Sequence, residues 1–156
     1  MVSFSYNIKN IKSIVKQVTW LLTKQVIIIG IICFVLMLYC LPIGLTYNNK
    51  DLTYMGFASF VVVVFAIYCW LRTYSSYKKY LHNSFNKAQT DILEFHLEKK
   101  ENIYIFGCDK LGKKKEFSVY DIAKICYSKK AIIIKLKSKK FIDMVNTSEI
   151  RNLLSR

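Results

Sequence analysis

The sequence predicts a membrane α-helical hairpin plus a small cytoplasmic antiparallel β domain with a C-terminal helix, a PH-like roll, so that the chain is α+β overall. Three observations carry this. Two long stretches lack any charge, lysines flank those stretches unevenly, and strand-like alternation of apolar and polar residues sets in after Asp91.

The hairpin rests on length. No charged residue lies between Lys24 and Lys50, and twenty uncharged residues separate Asp51 from Arg72. A helix needs roughly 20 apolar residues to cross a hydrocarbon core of roughly 30 Å. Spans of about 26–45 and 52–71 meet that length, with an outer loop at 46–51, inside a hairpin segment of 25–71. A cleaved signal peptide is not expected, because the first run begins as late as Val26 and lacks a small-x-small cleavage site before Pro42. Pro42 followed by Gly44 is expected to bend or end the first helix.

Orientation follows from the placement of a net charge of +14. Lys9, Lys12, Lys16 and Lys24 precede the first span without an acid, and Arg72, Lys78, Lys79 and Lys87 follow the second before Asp91. The positive-inside rule then puts both termini in the cytoplasm of a multi-pass protein of the cell (plasma) membrane. Anionic lipid head groups account for this charge better than nucleic acid does, since no helix-turn-helix, zinc or stacking motif accompanies it.

Residues 1–24 open as a strand fragment, with Phe4 and Tyr6 alternating with Ser3 and Ser5, and continue as an amphipathic helix. Ile8, Ile11, Val15, Val18 and Leu22 recur at helical spacing away from Lys9, Lys12 and Lys16, with Asn7 as the cap. This helix would either lie along the inner membrane surface or extend the first span. Trp20, Tyr74, Tyr77, Lys78 and Lys79 are the expected interfacial anchors. Residues 72–90 read as a basic juxtamembrane linker, loosened by Asn83, Ser84 and Asn86.

Neither span contains an acid, a base or a histidine, so an anchor is expected rather than a transport pathway. A packing seam is expected instead. Gly30, Cys33, Met37, Cys40 and Gly44 recur at steps of three and four, as do Gly56, Ser59, Val63, Ala66 and Trp70. Antiparallel pairing in matching register would set Gly44 against Gly56, Met37 against Val63 and Gly30 against Trp70.

Residues 91–156 form the β domain. Leu93, Phe95 and Leu97 alternate with Glu94, His96 and Glu98, the pattern of a half-buried strand. Asn102 to Cys108 should pair with Glu116 to Val119 through a turn at Asp109 and Gly112. Ile122 to Tyr127, Ala131 to Lys137 and Lys140 to Val145 complete an antiparallel meander. Asn146 should cap a terminal helix carrying Ile150, Leu153 and Leu154. About 66 residues is marginal for a core; because this topology puts both ends of the chain on one membrane face, a seventh strand from Phe4 to Tyr6 is a hypothesis that the sequence leaves open.

This order of parts, with Phe117-Ser118-Val119-Tyr120-Asp121-Ile122 and then Ile125, resembles the YcxB-like family of small bacterial membrane proteins. Tyr stands at position 120 where the family often has Trp, and Ile142-Asp143-Met144 where it has a Pro-Lys pair. The resemblance implies no catalytic residue. Tyr120, Asp121, Ile122 and Ile125 carry the motif, and Tyr120, Ile122 and Ile125 are expected in the core.

Five scattered cysteines and two isolated histidines form no metal-ligand spacing, so no cofactor and no metal are expected. With no nucleophile-base arrangement and no phosphate loop, an enzyme is not expected. The expected function is a membrane-anchored binding or regulatory module. Lys113, Lys114, Lys115, Lys129, Lys130, Lys139 and Lys140, placed at predicted turns, would contact lipid head groups or an unknown protein partner, and a homo-oligomer is left open. The alternative is immunity or self-protection against a bacteriocin or membrane-active toxin.

Overall fold

The structure, a computed structural model, describes residues 1–155. It divides into two compact units, one of Leu22–Ser75 and one joining Met1–Leu21 to the chain from Ser76 onward.

The first unit is built from parts of two helices, α1 (Ile11–Thr46) and α2 (Lys50–Ala88), both long and apolar enough to cross a membrane. The expected loop at 46–51 contracts to Tyr47–Asn49. Asn48 takes the left-handed conformation at φ 49°, and the Asn49 amide donates to the Gly44 carbonyl at 2.9 Å, closing the end of α1. Asn49 Oδ1 then accepts from the amides of Asp51 (3.1 Å) and Leu52 (3.2 Å), capping α2. Pro42 does not end α1. The helix continues to Thr46, whose hydroxyl donates to the Pro42 carbonyl at 2.8 Å.

All ten residues of the expected seam are buried or half-buried, while their neighbours on both helices are mostly exposed. The register, however, is shifted by about one helical turn. A Cβ on Gly30 would lie 2.7 Å from Ala66 Cβ, not against Trp70, and one on Gly44 would lie 2.6 Å from the Thr53 nitrogen, not against Gly56. Gly56 instead faces Leu41, with 2.5 Å from a built Cβ to Leu41 Cγ. The turn explains the shift: a reversal centred on Asn48 pairs residues equidistant from it, nearer Asn48 than the centre of the register expected from the glycine pattern.

The second unit holds seven antiparallel strands in two sheets. β1 (Val2–Asn7), β2 (Ile92–Lys100), β3 (Ile103–Cys108) and β4 (Lys113–Ser118) form one sheet in that order, and β5 (Ile122–Tyr127), β6 (Ala131–Leu136) and β7 (Phe141–Val145) form the other. The expected meander is thus interrupted: β4 and β5 do not pair, and a 3-10 turn at Val119–Asp121 separates them. The seventh strand comes from the start of the chain, with Val2 opposite Leu97, Phe4 opposite Phe95 and Tyr6 opposite Leu93.

Pleating puts Phe4, Phe95 and Phe106 on one face of the four-stranded sheet, where their rings stack at 5.4–6.1 Å. In the other sheet Ile132, Ile133, Ile134 and Met144 are fully buried. A terminal helix, α3 (Ser148–Ser155), adds Ile150 to the core. Its cap is Thr147, whose hydroxyl accepts from the Ile150 amide at 3.3 Å, rather than Asn146. Asn146 Oδ1 accepts from Arg151 Nε at 2.6 Å, and its amide nitrogen donates to the Ser128 carbonyl.

Two further expectations are corrected. The stretch 72–90 is not a loosened linker, because α2 continues to Ala88. Tyr77, Leu81 and Phe85 recur every fourth residue on one face and are all buried with Ser84, so burial of that stripe outweighs the weak helix propensity of Asn and Ser. The segment after Asn7 is likewise no separate surface helix. Asn7 caps a short 3-10 turn, Ile8–Asn10, that leads directly into α1, and Ile11, Ile14, Val15, Val18 and Leu21 are buried. Gln17 Oε1 accepts from the Ser128 hydroxyl (2.8 Å) and the Lys130 amide (2.7 Å), fixing this part of α1 to the β5–β6 turn.

Candidate functional site: a cavity between the sheets

A cavity of about 430 Å³ is lined in part by β4 and β7, edge strands of different sheets. Phe95 and Phe106 from the four-stranded sheet, Tyr80 from α2 and Phe141 from β7 supply apolar walls. Lys113, Lys114 and Lys115 line it from β4, and Asp143 lines it from β7. A smaller cavity of about 30 Å³ shares Tyr80, Phe95, Phe106 and Asp143.

The strand register explains the lysines. Lys115 is opposite Phe106 and Lys113 is opposite Cys108, so both alternate onto the face that carries the aromatic cluster. Lys114 alternates to the other face and pairs with Glu116 at 3.0 Å. These three residues therefore stand in a strand, not in the turn expected for them. Lys113 Nζ lies 5.1 Å from the centre of the Tyr80 ring, a cation–π contact. Lys115 is half-buried; desolvation and then the neighbouring Lys140 lower its pKa, partly offset by Asp143.

Asp143 sits between Ile142 and Met144, whose side chains are buried on the opposite face of β7. Its Oδ2 accepts from the Tyr6 hydroxyl at 2.8 Å and also from the Tyr77 hydroxyl. One carboxylate thus ties β1, α2 and β7 together. Burial raises the Asp143 pKa, with the two tyrosine hydrogen bonds opposing that rise. Tyr6, fully buried, is itself pushed well above the ordinary phenol range, first by burial and then by the Asp143 charge.

Of the seven lysines singled out from sequence, Lys113, Lys114 and Lys115 meet at the cavity, and Lys140 lies close enough to Lys115 to repel it. Lys129 and Lys130 stand in the β5–β6 turn beside Gln17, and Lys139 occupies a left-handed position at φ 61°. Tyr77 is not an interfacial anchor: it is buried and bonded to Asp143. Trp20 is exposed, Tyr74 is half-buried and stacks on Trp70 at 5.6 Å, Lys78 is half-buried and Lys79 exposed.

The motif residues serve a turn more than the core. Asp121 accepts from the Ser118 amide at 2.9 Å and the Ser118 hydroxyl from the Tyr120 amide at 3.2 Å, a capping box. Tyr120 is 70% exposed and so is not core, while Ile122 and Ile125 are half-buried. The residues missed from sequence are Tyr6, Tyr77 and Asp143 as a group. The available signal was an acid inserted in an otherwise apolar strand, Phe141-Ile142-Asp143-Met144-Val145, which calls for a partner.

No protein-family model, curated protein or solved structure matches this chain. The geometry defines its class: an α+β protein with two long apolar helices, a seven-stranded antiparallel β region and a C-terminal helix.

Proposed function

We propose that the chain is a membrane-anchored, non-catalytic binding module in which the hairpin holds a PH-like domain at the inner membrane surface. The observation that carries this reading is the outward apolar face of the two long helices. Ile32, Leu38, Phe57 and Phe65 are each more than half exposed, in stretches free of charge. Apolar surface of that extent is stable against lipid and unstable against water. Pairing of β1 with β2 supports placing both flanks of the hairpin on one membrane side, because the strands before and after it share a sheet. Four strands, three strands and a closing helix support the PH-like description, and with it the YcxB-like resemblance.

Membrane fractionation tests the anchor. The chain is expected in the carbonate-resistant membrane fraction, and an Asn48→Cys variant is expected to react with an impermeant thiol reagent in intact cells. Release by carbonate would overturn the anchoring, and labelling of Asn48→Cys only after lysis would overturn the orientation.

A further inference from the structure

We propose that the cavity between the sheets binds an anionic amphiphile, with a phosphate or carboxylate held by Lys113 and Lys115 and an apolar stem laid on Phe95, Phe106 and Phe141. This deepens the reading of the compact unit as a binding module and rests on it.

The size and lining suit such a ligand. About 430 Å³ is within the roughly 300–1,000 Å³ of small-molecule pockets, which combine apolar walls with a few placed polar groups. The sign of the charge follows from which groups already have partners. Asp143, the acid of the lining, has Oδ2 occupied by two hydroxyl donors. Lys114 has Glu116. Among the described residues, Lys113 and Lys115 have no carboxylate within 4.0 Å, and Lys115 is half-buried beside Lys140. A cation or a neutral molecule entering the cavity would desolvate Lys115 further without compensating it. An anion would add to the partial counter-charge that Asp143 supplies to Lys115, in a medium where ionic hydrogen bonds are strong. The aromatic wall adds a requirement that an inorganic ion does not meet, since only an apolar stem can cover the rings.

There is a competing explanation for an inward-facing lysine on an edge strand: it can deter pairing with the edge of another molecule. Binding measurements separate the two. The full chain, in nanodiscs of phosphatidylcholine, is titrated calorimetrically with octyl phosphate, octanol and inorganic phosphate. Octyl phosphate is expected to bind, and the other two to bind at least about tenfold more weakly, because each lacks one half of the chemistry. Lys115→Gln is expected to weaken octyl phosphate about tenfold with an unchanged melting temperature, while Lys129→Gln, in the β5–β6 turn, keeps wild-type affinity. Equal binding of inorganic phosphate, or wild-type affinity in Lys115→Gln, would overturn the proposal. Should Lys115→Gln fold poorly, Phe106→Leu provides the second variant, expected to weaken octyl phosphate more than inorganic phosphate; equal weakening overturns the proposal. Adding phosphatidic acid to the discs identifies the source: competition with octyl phosphate assigns the site to a membrane lipid, and no competition to a soluble amphiphile. Failure of this binding in a carbonate-resistant protein counts against the ligand class alone and leaves the anchor standing.

Discussion

The Tyr6 hydroxyl donates to Asp143 Oδ2 at 2.8 Å across 137 positions of sequence. The Tyr77 hydroxyl donates to the same oxygen, so the carboxylate is the point where β1, the C-terminal part of α2 and β7 converge. A half-buried carboxylate in an otherwise apolar strand depends on such donors to offset its lost hydration.

Removing either donor should therefore destabilise the compact unit. Tyr6→Phe and Tyr77→Phe are each expected to cost about 1.5–3 kcal/mol, the range for a hydrogen bond to a charged group. The double variant is expected to lose more than the sum, because it leaves Asp143 without a hydroxyl donor. Thermal or denaturant unfolding of the purified chain in detergent reads the coupling, and strict additivity would contradict the shared-acceptor geometry.

Stability should also depend on the protonation of Asp143. Burial raises its folded pKa above the unfolded value, so the folded state holds the proton more tightly. This contribution is fully present below the ordinary carboxylate range and is lost as pH rises through the folded pKa, above which the curve is flat. Asp143→Asn keeps an acceptor for the tyrosines but cannot ionise. The difference in melting temperature between wild type and Asp143→Asn should shift in favour of the variant across that window, and a pH-independent difference would show that the carboxyl titrates normally.

The hairpin offers a compensating test. Gly30→Ala brings a methyl group within 2.7 Å of Ala66 Cβ and should weaken helix pairing by about 1–3 kcal/mol, as overpacking does. Gly30→Ala combined with Ala66→Gly should recover most of that loss. Steric-trapping or denaturant measurements in bicelles distinguish this register from the alternative with Trp70 opposite, in which Ala66→Gly would bring no recovery.

Much of the β domain is legible in its sequence because alternation with period two is a local signal. The observed bounds of β5, Ile122–Tyr127, are those expected, and Leu93 and Leu97 are buried as their spacing requires. The seam was legible for the same reason, being a periodicity within each helix. Its register was not, because that depends on how Asn48 and Asn49 close the turn, and two residues there move every contact by a helical turn. Asn83, Ser84 and Asn86 misled in the other direction: their propensity is weak, and burial of Leu81 and Phe85 decided the helix. The Tyr6–Tyr77–Asp143 group has no local pattern at all. Each member is an ordinary residue until the topology assembles them.

Deleting residues 1–7 should expose Leu93 and Leu97 along the unpaired edge of β2 and remove Phe4 from the aromatic stack. Limited proteolysis is expected to cut the truncated chain in the β2–β3 region at protease concentrations that leave the full chain intact. Equal resistance would mean that β1 contributes little to the compact unit.

Pairing of β1 with β2 also sets a constraint on synthesis. Val2 finds its partner at Leu97, so β1 is translated before the two long helices and β2 only after them. The sheet therefore cannot close until β2 has been synthesised, some ninety residues after β1. Such non-local closure is slow. If the hairpin crosses a membrane as proposed, insertion of only one of its two helices would leave β1 and β2 on opposite sides of the bilayer, and the four-stranded sheet could not form.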